Sequence, residues 1–215
     1  MAMDIDRARI ILRRTNPADL YEAVRPALVS ANLRDELVEG SFAKDETYRY
    51  NCVRVLYRAL EAKPGLFYRF WDRLAAGIDS PNGFHRSIGA QALALLASED
   101  KGKKLDPIFA HYLGLLDDSK VMVSHYFLET LPLIYRARPD FRDRIVACLF
   151  GIDKTAHPIG RKDLLKADVI AVFDRIFDTL SAKDKGRALS FAKAQENCTS
   201  GKTRKAAKDF LEKHQ

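Results

Sequence analysis

Apolar residues recur with the helical period along nearly the whole of this chain, and no segment alternates with period two. That pattern confines the fold to packed helices. In the stretch 64–78, Phe67, Phe70, Trp71, Leu74 and Ile78 share one helix face. The turn Asp79-Ser80-Pro81-Asn82-Gly83 ends that helix. A second helix then starts near Phe84 and turns Ile88, Ala92, Leu95 and Leu96 inward. The same plan recurs downstream. A helix from Leu105 to Leu116 with Ile108, Tyr112 and Leu115 inward precedes the turn at 117–120 and a helix carrying Phe127, Leu128, Leu131, Ile134 and Tyr135. Phe141 to Phe150 precedes the turn at 151–154 and a long stripe of Leu165, Val169, Val172, Phe173, Ile176, Phe177 and Leu180. A final pair runs from about Ala182 to His214, broken near 197–201. Upstream, a helix opening at Lys44-Asp45-Glu46-Thr47 carries Cys52, Val55, Leu56, Ala59 and Leu60.

The turn aspartates Asp45, Asp79, Asp118 and Asp153 are separated by 34, 39 and 35 residues, the scale of a helical repeat. A carboxylate at such a turn is expected to cap the helix that follows and to favour the positive end of its dipole. Pro17 and Pro64 stand where a helix begins, and Pro139 and Pro158 mark boundaries. Pro26 and Pro132 fall within apolar-periodic segments and are expected to bend or interrupt them.

The helix–Asp-turn–helix units at 64–98, 101–137 and 139–180, with weaker partners at 17–62 and 182–214, resemble the HEAT-repeat superfamily and its armadillo-like relatives. The resemblance implies an all-α, right-handed α-α superhelix of about five antiparallel helix pairs in one domain over 1–215. The second helix of each pair would line the concave face. It implies a scaffold that binds other macromolecules, and it carries no catalytic residue across. The helix around Ile5, Ala8 and Leu12, within 1–16, and the charged last pair would serve as caps.

Composition narrows the function classes. Three cysteines, Cys52, Cys148 and Cys198, are too few and scattered for a disulfide framework or a zinc site. No run approaches the roughly 18 apolar residues of a membrane span, and the acidic opening Met1-Ala2-Met3-Asp4-Ile5-Asp6 is unlike a secretory signal. A cytoplasmic protein is expected. The net charge of +7 is uneven: residues 1–100 hold 14 basic and 14 acidic residues, and residues 101–215 hold 22 and 15. The densest part is 183–208.

No motif supplies a cofactor or metal site. Thr199-Ser200-Gly201-Lys202-Thr203 ends like a phosphate-binding loop, but Glu196 stands where the pattern needs glycine, so a capped turn is expected. The histidines lack ligand spacing. His125 is expected to pair with Glu129, one helical turn away. Trp71-Asp72 invites comparison with helical-repeat glycosylases of alkylated purines, which this chain resembles in size, basicity and fold. Trp71 lies in an apolar stripe, however, and is expected in the core. The remaining candidates are cations. Arg86, Lys120, Arg161, Lys162, Lys166, Lys202, Arg204 and Lys205, with His125, would line one groove if the repeats stack. Such a groove suits an acidic partner, foremost a protein, and alternatively nucleic acid at the C-terminal basic surface. No catalytic residue, metal or cofactor is expected, and the oligomeric state is open.

Overall fold

The structure is a computed structural model that describes residues 5–214; residues 1–4, with Asp4 of the acidic opening, and Gln215 lie outside it. Among the described residues there are twelve α-helices, short 3-10 helices and no strand. The chain divides into two compact units, Met1–Leu105 and Asp106–Gln215.

The first unit contains α1 (Ile5–Arg13), α2 (Val24–Val29), α3 (Ala31–Gly40), α4 (Glu46–Ala62), α5 (Trp71–Ala75) and α6 (Gly83–Leu96). Ala8, Ile11 and Leu12 of α1 are buried, and Ile5 is exposed. The buried Asn51 of α4 donates from Nδ2 to Leu12 O at 3.0 Å and Arg14 O at 2.8 Å. It thereby satisfies carbonyls that the end of α1 leaves open. Asp45 caps α4 as expected, accepting from the Tyr48 N–H at 2.8 Å. Cys52, Val55, Leu56, Ala59 and Leu60 are all buried.

The stretch expected as one helix over 64–78 is a composite: a 3-10 helix (Pro64–Phe70), α5, and another 3-10 helix (Ala76–Asp79). Its apolar face survives the change of pitch, because Phe67, Trp71, Leu74 and Ile78 are all buried. Two glycines let this composite meet α6 backbone to backbone. A Cβ on Gly89 would stand 2.8 Å from Leu74 O and 2.9 Å from Ile78 N, and one on Gly77 would stand 3.1 Å from His85 O.

The second unit contains most of α7 (Leu105–Gly114), then α8 (Val121–Ala137), α9 (Arg142–Leu149), α10 (Ile159–Ile176), α11 (Ala182–Lys193) and α12 (Gly201–His214). Helix α10 packs on both α8 and α12. The shorter α9 and α11 are the first helices of their pairs.

Three expectations change. Neither inner proline breaks a helix. Pro26 occupies the first turn of α2, where a missing N–H is harmless, and α8 runs through Pro132 to Ala137 with Leu128, Leu131, Ile134 and Tyr135 buried around it. The aspartate spacing recurs, but the four carboxylates do not share one role: Asp45 caps α4. Asn82 caps α6, Asp118 accepts from the Lys120 N–H at 2.7 Å, and Asp153 binds the Lys166 ammonium at 2.9 Å. The charge gradient also disappears at the true boundary, because Lys101, Lys103 and Lys104 fall in the first unit. Met1–Leu105 then carries 17 basic and 14 acidic residues, and Asp106–Gln215 carries 19 and 15, or +3 and +4.

Candidate binding faces

A periodic device, absent from the sequence reasoning, occupies the fourth residue of the second helices. Arg49 of α4 donates from Nη1 to Ala43 O at 3.0 Å and Lys44 O at 3.4 Å. Arg86 of α6 does the same to Ser80 O at 2.8 Å and Pro81 O at 3.1 Å. Arg204 of α12 reaches Cys198 O at 2.6 Å and Thr199 O at 3.0 Å. Lys162 of α10 reaches Asp153 O at 3.0 Å. In α3 the fourth residue, Arg34, likewise holds Ala27 O at 2.9 Å and Leu28 O at 3.2 Å. Each cation reaches back over its own N-terminus and ties down the turn before it. Arg86, Arg204 and Lys162 are thus turn clamps as well as basic residues.

Helix α8 breaks the series with Ser124. Its hydroxyl lies 3.1 Å from Nε2 of the buried His157, and that nitrogen is also 3.1 Å from Leu116 O. A carbonyl only accepts, so the proton sits on Nε2. The same nitrogen then has no lone pair with which to take the serine proton. This Ser–His contact is a buried joint between a helix and a turn.

Several expected groove cations are neutralised in place. Lys166 is buried, and its Nζ lies 2.9 Å from Asp153 Oδ1 and 3.4 Å from Asp163 Oδ1. Burial opposes its charge, but the bonds to Asp153 and Asp163 outweigh burial and hold the ammonium above its ordinary pKa. It cannot line an open groove. The Asp163 carboxyl is held below the usual range, first by the Thr199 hydroxyl at 2.6 Å and then by Lys166, against the effect of burial. Thr203 Oγ1 donates to the Asp163 carbonyl, and Ser200 Oγ accepts from the Thr203 N–H at 3.3 Å, the capped turn expected at 199–200.

His125 does not pair within its own helix. Its Nδ1 lies 2.8 Å from Asp168 Oδ2, and Lys202 Nζ lies 2.7 Å from Asp168 Oδ1. One carboxylate of α10 thus joins α8 to α12. Lys205 pairs with Asp209 along α12. Lys120 and Arg161 are exposed at the first turns of α8 and α10. The structure therefore brings His125 and Lys202 together, buries Lys166, ties Arg86, Lys162 and Arg204 to turns, and leaves Lys120 and Arg161 outward. In the basic stretch 183–208, a shallow cleft of about 620 Å³ is lined by Phe150, Lys183, Gly186, Arg187, Ser190 and Phe191, with the Arg187 guanidinium 3.9 Å from the Phe150 ring centre.

Trp71 is buried and Asp72 binds Lys104 Nζ at 2.9 Å, so the pair forms no aromatic–acid pocket. Burial pushes the Cys52 and Cys148 thiols up to about 12, which keeps both protonated at neutral pH. Among the described residues, no cluster of three or more His, Cys, Asp or Glu side chains is placed to hold a metal ion. No helix among them is long and apolar enough to cross a membrane.

Two sets of exposed residues escaped the sequence reasoning. Phe84, Met122 and Ile159 open α6, α8 and α10 and are 65, 51 and 71% exposed. In the first unit, Tyr21 and Tyr50 are exposed beside Arg54 and Arg58. The spacing 50, 54, 58 along α4 was the available signal, since it places three side chains on one helix face. No protein-family model, curated protein or solved structure matches this chain.

Proposed function

We propose that the chain is a non-enzymatic helical-repeat scaffold, a right-handed superhelix of the HEAT and armadillo kind, that binds an acidic protein partner along the first turns of its second helices. The repeat architecture draws its support from the reach of the side-chain bonds. Within the first unit, Arg54–Tyr21, Arg73–Glu39, Lys104–Asp72 and Asn51–Leu12 join residues 33, 34, 32 and 39 apart. Within the second, Arg138–Asp106, Thr199–Asp163, Lys202–Asp168 and Lys213–Asp174 join residues 32, 36, 34 and 39 apart. Bonds concentrated at one repeat length are what a stack makes when each pair touches its neighbours.

The observation that carries the binding reading lies within the second unit, where an exposed apolar residue stands at the head of two successive second helices, α8 and α10. Met122 and Ile159 are 37 residues apart, and Lys120 and Arg161 accompany them. An apolar anchor beside a cation is the pattern of a protein-binding surface, where desolvated side chains give affinity and charges give steering. The test is affinity capture on the immobilised chain, compared with a Met122→Asp/Ile159→Asp variant of equal melting temperature. A partner held by the parent, released by salt and lost from the variant is expected. Equal capture by both removes this face from the reading.

A further inference from the structure

Helix α4 and the 3-10 helix before α2 (Leu20–Ala23) build a second surface wholly within the first unit. Tyr21 and Tyr50 are 45 and 58% exposed. One guanidinium serves both. The Arg54 carbon lies 5.1 Å from the centre of the Tyr21 ring and 5.4 Å from that of Tyr50, and Nε and Nη2 donate to the Tyr21 hydroxyl at 3.2 and 3.0 Å. Both distances fall within cation–π range. Among the described residues no carboxylate pairs with Arg54, so its charge is held in place but not neutralised, and Nη1 is left open. One turn further on, Arg58 lies 5.7 Å from the Tyr21 ring and also pairs with Glu61. Of the acids nearby in sequence, Glu22 is bound by Arg7 at 2.7 Å and Asp19 by Arg14 at 3.1 Å, and Glu46 stands one turn before Tyr50.

We propose that this surface binds single-stranded nucleic acid, with bases stacking on Tyr50 and Tyr21 and phosphates bound by Arg54 and Arg58. Three features favour that ligand. Both rings are about half exposed beside the guanidinium groups, and an aromatic ring accepts any base as a stacking partner. Arg54 spends Nε and Nη2 on the Tyr21 hydroxyl but has no carboxylate partner, so Nη1 remains to donate a charge-assisted bond to a phosphate oxygen. Arg54 and Arg58 are one helical turn apart, about 6 Å along the axis, so a strand held at Arg54 brings its next phosphate to Arg58, where it competes with Glu61. A duplex hides its base faces in the stack and cannot use the rings. The proposal does not rest on Met122 and Ile159, which belong to the second unit.

The probe is a fluorescein-labelled oligouridylate of about twelve nucleotides, within the range of non-specific single-strand sites. Its anisotropy is followed with the full chain at low and at physiological salt. Binding that weakens steeply with salt is expected, with a roughly ten- to hundredfold loss in Tyr50→Ala and in Arg54→Ala. Tyr50→Trp keeps the stacking face and is expected to bind at least as well as the parent. Circular dichroism melts check that each variant is folded. No binding at low salt, equal binding by Arg54→Ala, or equal binding of a duplex of the same length would each overturn the proposal. So would displacement of the oligonucleotide by a lower concentration of a random Glu–Tyr copolymer, which would assign the surface to an acidic aromatic peptide.

Discussion

The two units carry almost the same net charge, +3 and +4, and pair their cations through different elements. In the first, arginines of the 64–79 segment reach carboxylates of α3: Arg69 binds Asp35 and Arg73 binds Glu39. Arg54, without a carboxylate, is left against two exposed rings. In the second unit lysines and histidines bind carboxylates across the second helices. His125 and Lys202 share Asp168, Lys213 and His214 share Asp174, and Lys166 lies between Asp153 and Asp163. Net charge alone is therefore a poor guide to a binding face. What matters is which cations the fold leaves without a carboxylate.

The comparison breaks most sharply in the cores. Trp71→Ala in the first unit and Phe109→Ala in the second each remove a large buried ring and are expected to cost about 3–5 kcal/mol. Hydrogen exchange should place each loss in its own unit. A loss spread evenly over both would merge them into one cooperative body. Next in size is Lys166→Ala, which strands the buried Asp163 carboxylate at a cost of about 3 kcal/mol in urea melts. Lys166→Met with Asp163→Asn should restore most of it.

Acid should weaken the second unit more gently. Thr199 and Lys166 hold Asp163 below its ordinary pKa. Lys213 and His214 do so for Asp174 against burial, and Ser181 and Arg187 for Asp184. A carboxylate whose folded pKa is lower than its unfolded one stabilises the fold above the unfolded value, near 4, and loses that contribution as pH falls through the folded value. Amide protection in the second unit should thus fall as pH drops below about 4, and Asp163→Asn should reduce that fall. The smallest effect is expected at Lys205→Ala. That residue makes an exposed pair with Asp209, and the melting temperature should not move.

The helical period made the secondary structure legible, because one buried face per helix leaves its mark on the sequence whatever the helix packs against. The width of that face was harder to see. Lys166 aligns with Ile170 and Phe173 as well as Leu165 does with Val169 and Val172, and α10 buries both rows because α8 and α12 flank it. Phe109 was passed over in favour of Ile108, and the structure reverses their burial. The partner of His125 lies 43 residues away, and only packing chooses Asp168 over Glu129. Tyr50, Arg54 and Arg58 were visible as a helical row, but Tyr21, which makes them a surface, comes from another element.

The arginines at the fourth position of α3, α4, α6 and α12 act as rulers for the turns that precede them. Arg49, Arg86 and Arg204 grip carbonyls five and six residues back, and Arg34 grips those six and seven back. A single residue inserted between Pro81 and Gly83 would move the carbonyls of Ser80 and Pro81 from the five-and-six spacing that Arg49, Arg86 and Arg204 share to the six-and-seven spacing of Arg34, so Arg86 would have to re-form its clamp in the geometry of α3. Loop length is ordinarily the most freely varied property of a helical protein. Here the first turn of the following helix measures it, so changes in length are easier to accommodate where no such cation reaches back.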